Sequence, residues 1–107
     1  MLVDTIEDKK GSNIVLLDLK EHNVFADYFL ICDGSNERQL SALADNIAFD
    51  AKQKANIQML GIEGDSAAGW VLIDFGDLVV HVFSPEKRAY YSLEEIWDRA
   101  HIVMRMQ

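Results

Sequence analysis

Trp70-Val71-Leu72-Ile73-Asp74-Phe75-Gly76-Asp77-Leu78-Val79-Val80-His81-Val82-Phe83 reads as a single β-hairpin. Two runs rich in apolar and β-branched residues, Trp70 to Phe75 and Leu78 to Phe83, flank Gly76-Asp77, and glycine takes the positive φ of a tight turn without steric cost. A two-residue loop fixes the register. Phe75 then faces Leu78, Asp74 faces Val79, Ile73 faces Val80, Leu72 faces His81, Val71 faces Val82 and Trp70 faces Phe83. Side chains alternate between the two sides of a strand, so Val71, Ile73, Phe75, Leu78, Val80 and Val82 share one wholly apolar face, which predicts core. The other face carries Trp70, Leu72, Asp74, Val79, His81 and Phe83, a mixture suited to packing under a helix or to meeting a partner. On it, Asp74 could reach His81 along the diagonal, and Asp77 could serve only the turn.

Outside the hairpin, size and charge narrow the function classes. The 107 residues make one domain, residues 1–107, with room for one core. No apolar run approaches a membrane span, and Met1 to Lys10 is too polar for a signal peptide and lacks the Arg-rich, acid-poor character of a transit peptide. The single cysteine, Cys32, lies in an apolar run and can form no internal disulfide, which suits packing in a reducing cytoplasm. A net charge of −8 and a pI of about 4.6 make the average surface repel phosphate backbones and anionic lipid. Direct nucleic-acid or membrane binding is therefore not expected, and a cationic protein is the more natural partner.

Along the chain, Leu2, Val3 and Ile6 fall at helical spacing, and Gly11 closes a short helix. Ile14 to Leu19 and Tyr28 to Cys32 are short apolar runs, predicted as central strands covered on both sides, with Lys20 to Asp27 a turn or a single helical turn that plugs an edge of the core between them. Asn36 with Gln39 resembles a capping box, Ser35 being an alternative cap, and opens a helix whose stripe is Leu40, Leu43, Ala44, Ile47 and Ala51. Phe49 falls off that stripe and is expected to pack on the terminal helices; exposed, it would be a second contact candidate. Ile57 to Glu63 reads as a strand, Gly64 to Gly69 as its connection to the hairpin, and the three strands as an antiparallel meander. Pro85 after Ser84 begins a helical turn, and Ser92-Leu93-Glu94-Glu95 is a capping box for a final helix carrying Ile96, Trp97 and Ala100. The sum is an α/β unit: a mixed sheet of about five strands flanked by helices on both sides. No role is assigned to the tail from Asp98 to Gln107.

Catalytic patterns are sparse. Gly34-Ser35 between a strand and a helix resembles the opening of nucleotidyltransferase-type folds, but those hold a metal with two carboxylates at i, i+2 on one strand. Asp74 and Asp77 stand at i, i+3 with Asp77 in the turn, and no other predicted strand offers the pair. Cys32 has no motif linking it to His22, His81 or His101, one cysteine and three scattered histidines make no zinc site, and a dinucleotide fingerprint is missing. No cofactor and no metal are expected.

A likeness to a known family runs nearly the whole chain in order. Glu7-Asp8-Lys9-Lys10, Ala26-Asp27-Tyr28-Phe29-Leu30-Ile31-Cys32-Asp33-Gly34, Ser35-Asn36-Glu37-Arg38-Gln39 and Ala44-Asp45-Asn46-Ile47 resemble the ribosomal silencing factor (Iojap-related) family. Glu63-Gly64, Trp70 to Asp77, Val79 to Phe83 and the segment from Tyr91 through Leu93 to Trp97 continue the likeness. The resemblance implies a nucleotidyltransferase-like α/β topology without catalytic residues, and a non-enzymatic protein. It further implies binding to the large ribosomal subunit through ribosomal protein 14, with the small subunit kept from joining; organelle relatives assist large-subunit assembly. The residues most similar to the family's contact region are Trp70, Asp74, Gly76, Asp77 and His81. Partner binding is accordingly expected at Trp70 as apolar anchor, at Asp74, Asp77 and Glu63 as acids meeting Lys and Arg, and at His81, which would order Asp74 or add a polar contact. Exposed apolar groups on the meander could also support a homodimer. The family usually has a longer N-terminal helix than Met1 to Lys10, so this chain is either short at that end or preceded by further residues.

Overall fold

The computed structural model describes residues 2–20, 26–92 and 101–106. In chain order the elements are α1 (Leu2–Asp8), β1 (Ser12–Asp18), β2 (Tyr28–Asp33), α2 (Glu37–Ala55) and β3 (Gly61–Asp65). A 3-10 turn (Ser66–Ala68) leads to β4 (Trp70–Asp74), β5 (Leu78–Phe83), α3 (Pro85–Tyr91) and β6 (His101–Met106). The strands form one sheet in the order β3-β4-β5-β2-β1-β6. Only β2 and β5 run parallel; every other neighbouring pair is antiparallel. The mixed α/β architecture agrees with the sequence reading, except that the sheet has six strands, not five. The sixth comes from the unassigned tail, which runs antiparallel along Ile14 to Asp18 of β1 from Met106 back to His101, with a register shift between Leu16 and Leu17.

The hairpin register is the predicted one from Trp70↔Phe83 through Asp74↔Val79, and Phe75 N–H donates to Leu78 O at 2.9 Å to close it. Gly76 supplies the turn's positive φ of 95°. Val71, Ile73, Val80 and Val82 lie in the main core with Ile14, Leu30, Cys32 and Ile6, covered by Leu40, Leu43, Ala44 and Ile47 of α2, while Phe75 and Leu78 pack at its margin. Alternate residues of the same strands, among them Val15, Leu17, Phe29, Ile31, Val79 and Phe83, make a second cluster on the opposite side of the sheet, with Trp70 and Leu72 packed against it. Cys32 is fully buried, and burial pushes its thiol up to about 12.

Local chemistry sets the helix ends. Asn36 Oδ1 accepts from Gln39 N at 2.8 Å, whereas Gln39 Oε1 accepts from Ser35 N and Oγ, so Gln39 does not bond back to the cap residue itself. The Gln39 amide also donates to the carbonyls of Lys9 and Lys10, tying the α1–β1 turn to the start of α2. Ser84 caps α3 ahead of Pro85 by accepting from Lys87 N at 3.2 Å.

Several boundaries differ from expectation. The two central strands are β2 and β5, with β1 one place further out. Strand β3 begins at Gly61 instead of Ile57 and continues to Asp65, because its backbone follows β4 from Asp74 back to Trp70. That extension places Glu63 and Asp65 at i, i+2 on one strand, a pair the predicted boundary had concealed. Ser92 ends α3 in a left-handed conformation; the final helix expected after it, over residues 93–100, and residues 21–25 of the Lys20–Asp27 link lie outside the described residues. Phe49, expected to be packed, is 61% exposed on α2, the helix that covers the sheet face opposite Trp70, and so stands apart from the hairpin's mixed face.

Candidate partner-binding face

The face of the hairpin left free by α1 and α2 holds Trp70, Asp74 and His81 of the predicted contact residues, and β3 adds Glu63. Asp65 pairs with Trp70, Glu63 with Leu72 and Gly61 with Asp74, so Glu63, Asp65, Trp70, Leu72 and Asp74 project from one side of the β3–β4 edge. Glu63, Gly64, Trp70 and Leu72 line a small hollow of about 120 Å³. Gly64 makes this close approach feasible: its φ is +80°, and a Cβ there would collide with the Trp70 carbonyl oxygen.

Trp70 is half-buried, and its orientation is determined from beneath. Its indole Nε1–H donates to His81 Nδ1 at 3.1 Å. Its ring stacks on Phe83, with centroids 5.3 Å apart and planes 20° apart, and meets Tyr91 of α3 at 4.6 Å. His81 is only 3% exposed and touches the Phe29 ring edge-on at 4.5 Å. A hydrogen-bonded Nδ1 must carry a lone pair, so the neutral ring has its proton on Nε2, a buried atom without a hydrogen-bond partner. Burial lowers the His81 pKa to about 4, which keeps the acceptor in place at neutral pH.

The structure thus separates residues that the sequence grouped. His81 neither orders Asp74 nor reaches the surface, since the longer Trp70 side chain meets it first. Asp74 Oδ1 instead accepts from Gly76 N at 2.8 Å and braces the turn. Asp77 is exposed at the tip, where its carbonyl accepts from Asp27 N and Tyr28 N. Trp70 and Asp74 stand at opposite ends of β4, about 13 Å apart by strand rise. Glu63 and Asp65 gather at the Trp70 end. Tyr91 belongs to this site and was not among the predicted contacts; only the placement of α3 reveals it. Asp65 was hidden by the misplaced end of β3.

Elsewhere the polar groups serve the fold. Arg88 Nη1 donates to Asp33 Oδ1 at 2.8 Å and to the Asn13 carbonyl, and Asn13 Nδ2 donates to Asp33 Oδ2 at 2.9 Å. At Gly34-Ser35 both backbone N–H groups have protein acceptors, Phe83 O and Gln39 Oε1, so this turn is a helix cap and not an open phosphate cradle. Asp65 Oδ1 caps the 3-10 turn by accepting from Ala68 N. Among the described residues no group of three or more His, Cys, Asp or Glu could hold a metal ion, and no helix is long and apolar enough to cross a membrane.

Solved structures share this mixed α/β fold. A crystal structure of a Chromobacterium violaceum protein superposes with a TM-score of 0.85 at 35% identity, covering 92% of this chain and 81% of that one. The family model described as "Ribosomal silencing factor during starvation" matches residues 1–107, and the chain belongs to that family. The Halalkalibacterium halodurans protein named ribosomal silencing factor RsfS is 44% identical over 96% of this chain and 87% of its own length. A mouse relative, named for mitochondrial assembly of the ribosomal large subunit, is 29% identical over 91% of this chain and 43% of its own length.

Proposed function

We propose that this protein, acting as one domain over residues 1–107, binds the large ribosomal subunit in the cytoplasm through ribosomal protein 14. It thereby blocks small-subunit joining and represses translation by occlusion, without catalysis. The observation that carries this reading is the Trp70 edge: an aromatic ring presented at the surface, held in one orientation by His81, and flanked by Glu63 and Asp65 on a chain of net charge −8. Oriented aromatics rimmed by charge are what interface hot spots use, and a basic ribosomal protein complements the acids. Asp74 and Asp77 would extend the acidic contact toward the turn.

Co-sedimentation with separated large subunits, small subunits and joined ribosomes, followed by a subunit-joining assay, tests this. Binding confined to large subunits with joining suppressed is expected. Trp70→Ala should cost at least about 2 kcal/mol, roughly thirtyfold in affinity, while the domain stays folded. Retained affinity in that variant would remove the anchor from the hypothesis. A second reading, assistance to large-subunit assembly, is favoured by the mouse relative's name, and binding only to immature particles would select it. A flat titration of nucleoside triphosphate with magnesium is the expected result against a nucleotidyltransferase-like activity.

A further inference from the structure

A row of aromatic rings leads out of the core through the proposed site and onto α3. Phe83 is fully buried, Trp70 is half-buried, Tyr91 is 37% exposed and Tyr90 is 76% exposed. Successive ring centroids are 5.3 Å, 4.6 Å and 5.0 Å apart. Tyr91 packs on Trp70 and Phe83, and Tyr90, set edge-on against Tyr91, prolongs the Trp70 surface away from β4. The charge on the other flank of Trp70 is negative, from Glu63 and Asp65. Tyr90 already accepts a cation over its face, with Lys87 Nζ 5.6 Å from the ring centroid.

We infer that the partner surface extends from Trp70 across Tyr91 to Tyr90, and that it takes an arginine- or lysine-bearing segment of a basic protein. The inference deepens the proposed function and rests on it. An Arg or Lys side chain has the required two-part chemistry: an apolar stem or planar guanidinium to lie on the tyrosine and tryptophan rings, and a charged head for the carboxylates beside Trp70. Charge complementarity with a −8 chain selects this occupant over a second copy of the chain, whose own Glu63 and Asp65 would bring like charges together.

The test compares large-subunit affinities of Tyr90→Ala, Tyr91→Ala, Trp70→Ala and the distant exposed aromatic control Phe49→Ala, with thermal melts confirming folding. Tyr90→Ala, which leaves the ring contacts of Trp70 with Tyr91 and Phe83 intact, should lose affinity about threefold to tenfold. Tyr91→Ala should lose more, and Phe49→Ala nothing. Loss in Trp70→Ala with full affinity in both tyrosine variants would overturn the inference and leave the proposed function standing. No binding by the unaltered protein would overturn both. A dimer in sedimentation velocity that Tyr90→Ala dissociates, with ribosome binding unchanged, would assign the tyrosines to a second copy and overturn it as well.

Discussion

His81 works as a receptor for one proton donor inside the protein. Its Nδ1 accepts the Trp70 indole N–H only while the imidazole is neutral. In the fold its pKa is about 4, against the ordinary value of 6.5, so between these limits the unfolded chain binds a proton that the folded chain does not. The stabilisation from neutral His81 is complete above the unfolded value and drains away as pH falls toward about 4, by roughly 3 kcal/mol in all. Urea denaturation over this range should show that slope, and His81→Phe should flatten it relative to the unaltered protein. In the same variant the indole Nε1–H resonance should lose its hydrogen-bonded shift and exchange faster. His81→Asn, which restores an acceptor near the Nδ1 position, should recover part of both. The sequence brought Trp70, Asp74 and His81 to one face but could not choose the histidine's partner. That choice depends on side-chain reach, and Asp74 is consumed by the turn amide of Gly76.

Among the elements, α3 is held to the sheet by an ion pair as well as by the Tyr91 ring. The Arg88–Asp33 pair, with side chains 11% and 6% exposed, joins its last turn to the end of β2. Arg88→Leu would take the guanidinium from a buried carboxylate to which Asn13 still donates, and should cost about 3 kcal/mol or more in chemical denaturation. Adding Asp33→Asn should return part of that loss by removing the stranded charge. Tyr91 would move with α3, so Arg88→Leu should also blunt large-subunit binding. On the opposite flank, Gly64→Ala would force a left-handed conformation on alanine against the Trp70 carbonyl, and should destabilise by more than about 1 kcal/mol. The hairpin was legible because a two-residue turn settles every pair beyond it, and the α2 stripe because its spacing allows only one buried face. The end of β3 and all of β6 were not, since short apolar or glycine-containing stretches acquire strand identity from the partner they pair with. For β6 that partner is β1, far away in the chain. Arg88–Asp33 is a contact of the same long-range kind.

For the molecule as a whole, the −8 charge gives the proposed encounter with a basic partner a measurable signature. Raising monovalent salt from about 50 to about 500 mM should slow association by tenfold or more, with a smaller change in dissociation, because screening acts on approach more than on a seated tryptophan. Stopped-flow mixing with large subunits would separate the two rates. Composition announced this acidity, and the likeness to ribosomal silencing factors was readable in order along the chain. The clustering of Glu63, Asp65 and Tyr91 around Trp70 emerged only when β3 and α3 were placed beside β4.

The sealed position of Cys32 makes the chain a convenient reporter of its own binding. A thiol with a pKa near 12 inside the core is silent to alkylating dyes, so one cysteine placed at the exposed Val103 of β6 would take a fluorophore selectively. Four inter-strand spacings, about 19 Å, separate β6 from Trp70 on β4. A dye there would stand clear of the tryptophan edge while remaining close enough to register the arrival of a particle by its slowed tumbling.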